Sequence, residues 1–141
     1  MPKQALTNDE IDACFVVMSQ LRPHLVATSF LHQVRTMEGE GYRLAYIEEG
    51  AEVVCVAGYR LTTSLFMGKN LYVDDLVTAE KARSSGYGGR MMQWIRALAR
   101  ENDCQYLHLD SGTQRHCAHK FYFRENLAVA SYHFSQKLSD D

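Results

Sequence analysis

Proline and linker-like segments are scarce in this sequence of 141 residues. Its only prolines are Pro2 and Pro23, and no repeat, low-complexity tract or Pro/Gly/Ser-rich stretch divides it. A chain of this length can bury most of the apolar surface of its unfolded form, and it usually forms a single domain. We therefore expect one domain over residues 1–141.

Excess positive charge and long apolar runs are also absent. The formal net charge is −2, so the chain lacks the basic surface by which nucleic-acid-binding proteins attract phosphates. No apolar run is long enough to cross a bilayer, and the N-terminus shows neither the charged nor the apolar part of a secretion signal. We expect a cytoplasmic protein that binds neither nucleic acid nor membranes.

Paired cysteines are missing too. The four cysteines are widely scattered and form no CxxC pair, and without a secretion signal we expect buried reduced thiols rather than disulfides. His116-Cys117-Ala118-His119 places two histidines on one helix face, but no acidic partner or second cysteine pair has the spacing of a zinc site. The sequence predicts no metal.

The patterns that are present predict a regular order of helices and strands. Thr7-Asn8-Asp9-Glu10 has the form of a capping box, which opens a helix. Apolar residues at helical or strand spacing then predict helices over residues 7–22 and 28–38, strands over 42–48, 53–61 and 71–78, a helix over 91–101, a strand over 105–110, a helix over 114–125 and a strand over 128–138. The last strand places Ala130, Tyr132, Phe134 and Leu138 on one face. This order predicts an α+β fold with a mixed, mainly antiparallel sheet flanked by helices on both faces.

The most informative segment is a glycine-rich turn, Arg83-Ser84-Ser85-Gly86-Tyr87-Gly88-Gly89-Arg90, between a predicted strand and a predicted helix. Such a turn presents backbone N–H groups and the positive end of a helix, an arrangement that binds phosphates. The dinucleotide-binding pattern GxGxxG fails because Met91 stands where its third glycine belongs, and a P-loop fails because Gly-Lys-Ser/Thr occurs nowhere.

The remaining pattern, Arg83-x-x-Gly86-x-Gly88, resembles the pyrophosphate-binding motif of the GNAT N-acetyltransferase superfamily. The predicted order of elements follows that family over nearly the whole chain, and residues 118–127 look like its Ala-x-x-x-Tyr-x-x-x-Gly-Phe segment. The resemblance implies the GNAT acyl-CoA N-acyltransferase fold, with acetyl-CoA as co-substrate. It also implies that the coenzyme A pyrophosphate is bound by Arg83, Ser84, Ser85, Gly86, Tyr87, Gly88, Gly89 and Arg90.

The strand before the turn carries the chemistry by the same resemblance. Backbone groups of Leu76, Val77 and Thr78 would pair with the pantetheine arm, and one of their N–H groups would stabilise the oxyanion. Asp74 and Asp75 should point to opposite faces of the strand, and acids in an apolar strand are hard to explain as packing. Their segment looks like that of polyamine acetyltransferases, which implies Asp74 as general base and both acids as acceptor-binding residues. The alternative is that each acid caps the sheet edge or pairs with an arginine.

Tyr122 matches the family's general acid, which protonates the departing thiolate. The alternative is that Phe121, Tyr122 and Phe123 form a core cluster. His119 precedes Tyr122 by three residues, so it either borders the acceptor pocket or is an ordinary surface or core histidine. Arg115 stands where the family usually has asparagine, which leaves one cofactor contact open.

These observations lead to one hypothesis with two alternatives. We expect an acyltransferase that moves an acetyl group from acetyl-CoA to a primary amine, a small cationic molecule, by direct attack in a ternary complex. The first alternative is a GNAT-like sensor or interaction module that binds coenzyme A without transferring anything. The second is an acyltransferase that uses another acyl-CoA. Whether the protein forms a homodimer is left open.

Overall fold

The computed structural model describes residues 1–140. Residues 1–109 form one compact unit and residues 110–140 belong to a second. The first unit contains the sheet and the glycine turn, and the second contains the last helix and the C-terminal segment. The expectation of a single domain over residues 1–141 stays a prediction.

The sheet of the first unit has five strands in the order in which they occur along the chain. They are β1 (Lys3–Gln4), β2 (Tyr42–Glu49), β3 (Glu52–Ser64), β4 (Gly68–Thr78) and β5 (Tyr106–Leu109). Neighbours from β1 to β4 are antiparallel, whereas β5 pairs with β4 in parallel. The mixed, mainly antiparallel sheet predicted from the sequence is therefore confirmed, and β1 is an additional strand that the pattern did not indicate.

The helices follow the predicted order with two changes of boundary. They are α1 (Asn8–Ala13), α2 (Phe15–Leu21), α3 (Ala27–Glu38), α4 (Tyr87–Glu101) and α5 (His116–Arg124), and a short 3₁₀ turn spans Glu80–Ala82. The capping box at Thr7 and Glu10 is confirmed. The single helix expected up to Arg22 is two helices, because the Cys14 N–H bonds to Ile11 three residues back, which tightens the chain there. The other change, an earlier start of α4, concerns the glycine turn.

Two apolar layers hold the helices against the sheet. On one face, residues from α1, α2 and α3 pack against β2 and β3, and the layer includes Ile11, Val17, Met18, Phe30, Val34, Leu44 and Val56. On the other face, α4 covers the sheet with Met91, Ile95 and Ala99, which contact Ile47, Ala57, Leu71 and Val73. Each fully buried aliphatic side chain contributes about 1.5–3 kcal/mol. Helices flank both faces of the sheet, as the sequence predicts.

A β-bulge in β4 changes the direction of one acid. Gly58 of β3 pairs with Asp75 and the next residue, Tyr59, pairs with Val73, so Asp74 is the extra residue. Val73 and Leu76 both face the α4 layer. Asp74 and Asp75 consequently lie together on the α1–α3 face, where the negative charges of both carboxylates help to raise the pKa of the Tyr42 hydroxyl group. The expectation that the two acids point to opposite faces is wrong, because the bulge interrupts the alternation of a regular strand.

The second unit confirms one predicted turn and contradicts the last predicted strand. Asn126, just after α5, has the left-handed backbone expected of it, with φ of 67°. Residues 128–138 form no strand, and the side chains of Tyr132 and Phe134 are 84% and 91% exposed. Strand propensity depends strongly on context, so the alternating pattern of these residues was an incomplete guide. Among residues 1–140 the chain therefore has one parallel crossover, β4–α4–β5, instead of two.

Candidate active site

The glycine turn forms an uncapped helix N-terminus. Gly86 precedes α4 with a left-handed φ of 84°, and the Arg90 N–H closes the first helical turn on the Gly86 carbonyl oxygen at 3.1 Å. The helix begins at Tyr87 rather than at the predicted residue 91, because Gly88 and Gly89 adopt helical geometry in this turn. Within residues 1–140, no side chain caps this end. The first N–H groups of α4 thus point outward without helical partners, as an anion site requires.

Space is available in front of this turn. A Cβ added to Gly86 would meet no atom of the described chain within 4 Å, so the glycine is required by its backbone angle and not by packing. Ser84 also has a left-handed φ of 70°, and Ser84, Ser85 and Gly86 are exposed. A left-handed residue other than glycine is uncommon and frequently marks a functional turn. The turn therefore has the shape and the free space that a bound phosphate group needs.

Basic side chains border the turn, and each has a weak partner. Arg83 donates from Nε to the Thr78 carbonyl oxygen at 3.5 Å. The Arg90 guanidinium lies 3.5 Å from the Glu49 carboxylate and 4.7 Å from the centre of the Tyr87 ring. The Arg90–Glu49 pair is about half exposed on both sides, and such pairs contribute only about 0–1 kcal/mol. Exchanging Glu49 for a phosphate group would cost little.

The edge of β4 is open where the turn approaches. β5 pairs with β4 only along residues 70–73, whereas β3 stays paired with β4 as far as Thr78. Beyond Val73, no strand among residues 1–140 covers the side of β4 that faces away from β3. Leu76, Val77 and Thr78 lie on this uncovered stretch. Their outward backbone groups can pair with an extended ligand, as the sequence predicts for the pantetheine arm.

Asp75 is held by two partners from distant parts of the chain. Arg22, at the end of α2, donates from Nε to Asp75 Oδ1 at 3.0 Å. The Tyr42 hydroxyl donates to Asp75 Oδ2 at 2.8 Å. Burial, reinforced by the Asp75 carboxylate, raises the pKa of Tyr42 well above its usual value, so this phenol keeps its proton. The Asp75 side chain is only 13% exposed, and both of its oxygens have donors.

Asp74 has a different environment. Arg60 of β3 donates from Nε to Asp74 Oδ2 at 3.1 Å. Burial raises the pKa of Asp74 above its usual value, although the Arg60 guanidinium opposes the shift. A carboxylate whose pKa is raised is a better proton acceptor than an ordinary aspartate. With Arg22 and Arg60 beside Asp74 and Asp75, the formal charges of this cluster balance.

More polar side chains continue along the same face of the sheet. Tyr72 lies between Arg60 and His108 in the strand register, and its ring contacts the His108 ring edge-on at 5.0 Å. The buried amide of Asn70 accepts from the Thr62 hydroxyl at 3.2 Å and meets His108 Nε2 at 2.8 Å. This row extends the polar surface from the acid cluster to β5.

Sequence reasoning missed Arg22 and Arg60 as partners of the acids, and it missed His108 as part of the polar row beside them. No motif marks them, because they come from α2, β3 and β5 and meet only through the sheet register. The signal available in the sequence was indirect: two acids in an apolar strand call for cationic partners. Each acid does pair with an arginine, as the alternative describes, and the roles of Asp74 as general base and of both acids in acceptor binding stay predictions.

The predicted residues of the second unit lie on or beside α5. Tyr122 is half-buried in the helix, and its ring packs edge-on against that of Phe121 at 5.4 Å. His119 is half-buried and its Nε2 lies 2.8 Å from the Gly112 carbonyl oxygen. Arg115 directly precedes the helix. The roles of Tyr122 as general acid and of His119 at the acceptor pocket stay predictions.

The cysteines and histidines show no sign of a disulfide or a metal centre in the described chain. All four cysteines are free; Cys14 and Cys55 are buried as expected, whereas Cys117 is exposed. Residues 1–140 contain no group of three His, Cys, Asp or Glu side chains that could hold a metal ion. In the same residues, no helix combines the length and apolar composition needed to cross a membrane.

Comparison with known proteins adds independent evidence. The model of the acetyltransferase (GNAT) family matches residues 5–126. A Bacillus subtilis (strain 168) protein described as an uncharacterized N-acetyltransferase, YhdJ, is 30% identical over 138 residues, which cover 96% of this chain and 97% of that protein.

Two solved structures are similar in fold. A transcriptional regulator from Bacillus halodurans C-125 has a TM-score of 0.86 at 17% identity, over 98% of this chain and 99% of that one. The glucosamine-6-phosphate N-acetyltransferase of Arabidopsis thaliana has a TM-score of 0.75 at 16% identity, over 99% of both chains. At such low identities the likeness extends to the fold alone.

Proposed function

Because the chain belongs to the GNAT acetyltransferase family, we propose that it is an N-acetyltransferase that transfers an acetyl group from acetyl-CoA to a primary amine. The observation that carries the proposal is the succession of three features along residues 74–86. These are the bulged Asp74, the uncovered edge of β4 from Leu76 to Thr78, and the uncapped N-terminus of α4 behind Gly86. They supply a proton acceptor, a backbone edge for the donor and a phosphate site.

The donor would be held mainly by backbone groups. The turn from Arg83 to Arg90 would bind the pyrophosphate through the N–H groups of the first helical turn and through the two arginines. The edge from Leu76 to Thr78 would pair with the pantetheine arm, and one of its N–H groups would stabilise the charge that develops on the acetyl oxygen. Backbone recognition reads the coenzyme and not the acyl group, so another acyl-CoA donor remains the alternative.

The chemistry is a direct transfer in a ternary complex. The amine nitrogen bonds to the acetyl carbon while the carbon–sulfur bond breaks, Asp74 accepts the amine proton, and Tyr122 supplies a proton to sulfur. Proton transfer from a tyrosine of pKa near 10 to a thiolate of pKa near 8.5 is uphill by roughly 2 kcal/mol. A hydrogen bond from Tyr122 that strengthens as the thiolate forms is therefore sufficient.

Two of the four cysteines, Cys14 and Cys55, are poorly suited to carry an acetyl group. Burial raises the pKa of Cys14 to about 12 and that of Cys55 to about 11. Both side chains remain thiols near neutral pH, and the thiolate is the nucleophilic form. Neither can serve as an acetyl carrier.

The acceptor is proposed as a primary amine without a strong requirement for positive charge. The expectation of a small cationic amine rested on the two adjacent acids and on the likeness of their segment to that of polyamine acetyltransferases, but Arg22 and Arg60 already neutralise Asp75 and Asp74. A cluster without net charge gives little electrostatic attraction to a cation. Asp75, whose two oxygens are both occupied, would shape the acceptor pocket through Tyr42 and Arg22.

Mass spectrometry after incubation with acetyl-CoA tests the proposal. The acceptor panel should contain polyamines, amino acids, amino sugars and lysine peptides, and propionyl-CoA and succinyl-CoA should be included as donors. We expect an amine product whose mass has increased by one acetyl group. Tight binding of coenzyme A without any acylated product would instead support the non-catalytic module. The observation in favour of that alternative is the pairing of Asp74 with Arg60, which occupies the proposed proton acceptor.

A further inference from the structure

Arg22 links the end of a helix to the bulge in β4. Its Nε donates to the Asp75 side chain at 3.0 Å, and its second guanidinium nitrogen donates to the backbone carbonyl oxygen of Asp74, also at 3.0 Å. One planar guanidinium therefore bridges a side chain and a main-chain group of two adjacent residues, 52 and 53 positions away in the sequence. Arginine is suited to such a bridge because its donors are fixed in one plane.

The local sequence fixes the backbone position of Arg22 at the end of α2. The residue caps α2, and its N–H closes the last turn on the Met18 carbonyl oxygen. Pro23 follows directly, so the helix cannot continue and the residue before the proline is restricted to extended conformations. Arg22 has left the helical region, with φ of −120° and ψ of 75°. Its side chain starts from a fixed point at the end of the helix.

The bulge needs a partner of this kind. The extra residue of a β-bulge is left out of the regular ladder of backbone hydrogen bonds, and in β4 this residue is Asp74. Its carbonyl oxygen is the atom that Arg22 contacts. If the bulge were lost, a shift of one residue would turn the side chain to the opposite face of the sheet. The position of the Asp74 carboxylate therefore depends on the bulge.

We propose that Arg22 is a positioning residue for acetyl transfer, which holds the bulge of β4 by bridging the Asp75 carboxylate and the Asp74 carbonyl. The proposal rests on the proposed function in that Asp74 accepts the proton of the amine. Arg22 itself touches neither the donor nor the reacting atoms in this scheme. Arg60 restrains the Asp74 carboxylate and Tyr42 the Asp75 carboxylate, so Arg22 is the member of the cluster that holds the backbone.

Two substitutions at Arg22 test this role. Arg22→Gln removes the bridge, and Arg22→Lys keeps the charge but loses the planar pair of donors. We expect kcat per folded molecule to fall about 100-fold in Arg22→Gln, the scale of a misplaced catalytic group, and to fall less in Arg22→Lys. The dissociation constant of coenzyme A should rise far less than kcat falls, because the turn from Arg83 to Arg90 that binds the phosphates lies outside the bulge. Arg100→Gln, at an exposed arginine of α4, is the matched control and should behave as wild type.

Hydrogen exchange at the amides of residues 74–78 gives a readout that does not depend on activity. We expect faster exchange there in Arg22→Gln, with exchange in β2 unaffected. Unchanged exchange, or full kcat per folded molecule, would overturn the proposal. If the wild-type protein acetylates no amine, the proposed function fails, and exchange alone decides whether Arg22 holds the bulge. If Arg22→Gln does not fold, Arg22→Lys is measured instead against the same criteria.

Discussion

The phenol of Tyr42 occupies the space that a side chain at Gly58 would need. A Cβ at Gly58 would overlap the Tyr42 hydroxyl, and it would lie only 2.6 Å from Cε1 of the Tyr42 ring. Gly58 is also the residue of β3 that pairs with Asp75 at the bulge. The glycine thus lets the tyrosine ring cross β3 and donate to Asp75.

Replacing Gly58 with alanine should push Tyr42 away from Asp75. We expect a loss of about 1–3 kcal/mol in the free energy of unfolding, the usual cost of overpacking, together with reduced turnover. Denaturant unfolding and steady-state kinetics measure the two effects. Because the clash involves the ring itself, adding Tyr42→Ala should make the combined loss smaller than the sum of the single losses. Additive losses would show that the clash is not the cause.

Gly86 should matter for its backbone conformation. Gly86→Val places a branched side chain at a φ of 84° and should abolish coenzyme A binding, with a loss of roughly 1–2 kcal/mol in stability from the left-handed geometry. Gly86→Asn is the matched control, because asparagine tolerates this region. Isothermal titration calorimetry with coenzyme A compares the two. Equal affinities in Gly86→Val and wild type would refute the phosphate site.

Asp74→Asn should remove the proton acceptor proposed for the reaction. Burial raises the pKa of Asp74 above 3.8, so its contribution to folding is fully present below the unfolded pKa and is lost as the pH rises through the folded pKa. Asparagine removes this pH-dependent term and keeps a side-chain oxygen that can accept from Arg60, but it leaves the Arg60 guanidinium without a charged partner. We expect kcat to fall on the order of 100-fold or more and the acidic limb of the pH–rate profile to disappear. Asp103→Asn, at an exposed left-handed position, is the control and should keep both kcat and the acidic limb of the profile. An unchanged pH–rate profile in Asp74→Asn would exclude Asp74 as the base.

Glu10 should control stability in acid. Hydrogen bonds from the Thr7 N–H and then from the Tyr46 hydroxyl lower the pKa of Glu10 from 4.5 to about 2. Its stabilising contribution is therefore complete above the unfolded pKa and is lost as the pH falls from about 4.5 to about 2. Glu10→Gln should flatten the pH dependence of Tm in this window, whereas Glu101→Gln, at an exposed glutamate, should not. Parallel curves for Glu10→Gln and wild type would contradict the assignment.

Tyr122→Phe should lower turnover much more than it weakens coenzyme A binding. The expected decrease in kcat is on the order of 100-fold, the scale of general acid catalysis, because the departing sulfur loses its hydrogen-bond donor. Tyr132→Phe removes a hydroxyl from a tyrosine that is 84% exposed and serves as control. If Tyr122→Phe keeps full turnover, the general-acid role must be abandoned and the aromatic cluster remains as the explanation.

Features that depend on neighbouring residues could be predicted from the sequence. The capping box joins Thr7 and Glu10 three residues apart, and the left-handed Asn126 directly follows a helix. The start of α4 was placed four residues late because glycine is normally a poor helix former, whereas here Gly88 and Gly89 continue the turn that Gly86 opens. The strand expected over residues 128–138 is absent, because strand propensity depends strongly on context and an alternating pattern alone does not specify a strand.

The sequence by itself determined the family resemblance, the succession of helices and strands between residues 42 and 124, and the candidate phosphate site, because each depends on local spacing, turn chemistry and periodicity. Only the tertiary structure decided what surrounds the two acids. A bulge in β4 turned Asp74 and Asp75 to one face, and Arg22, Tyr42 and Arg60 reached them from other elements. Such contacts join residues 14 to 53 positions apart, and no local pattern encodes them because they arise from strand register and helix packing.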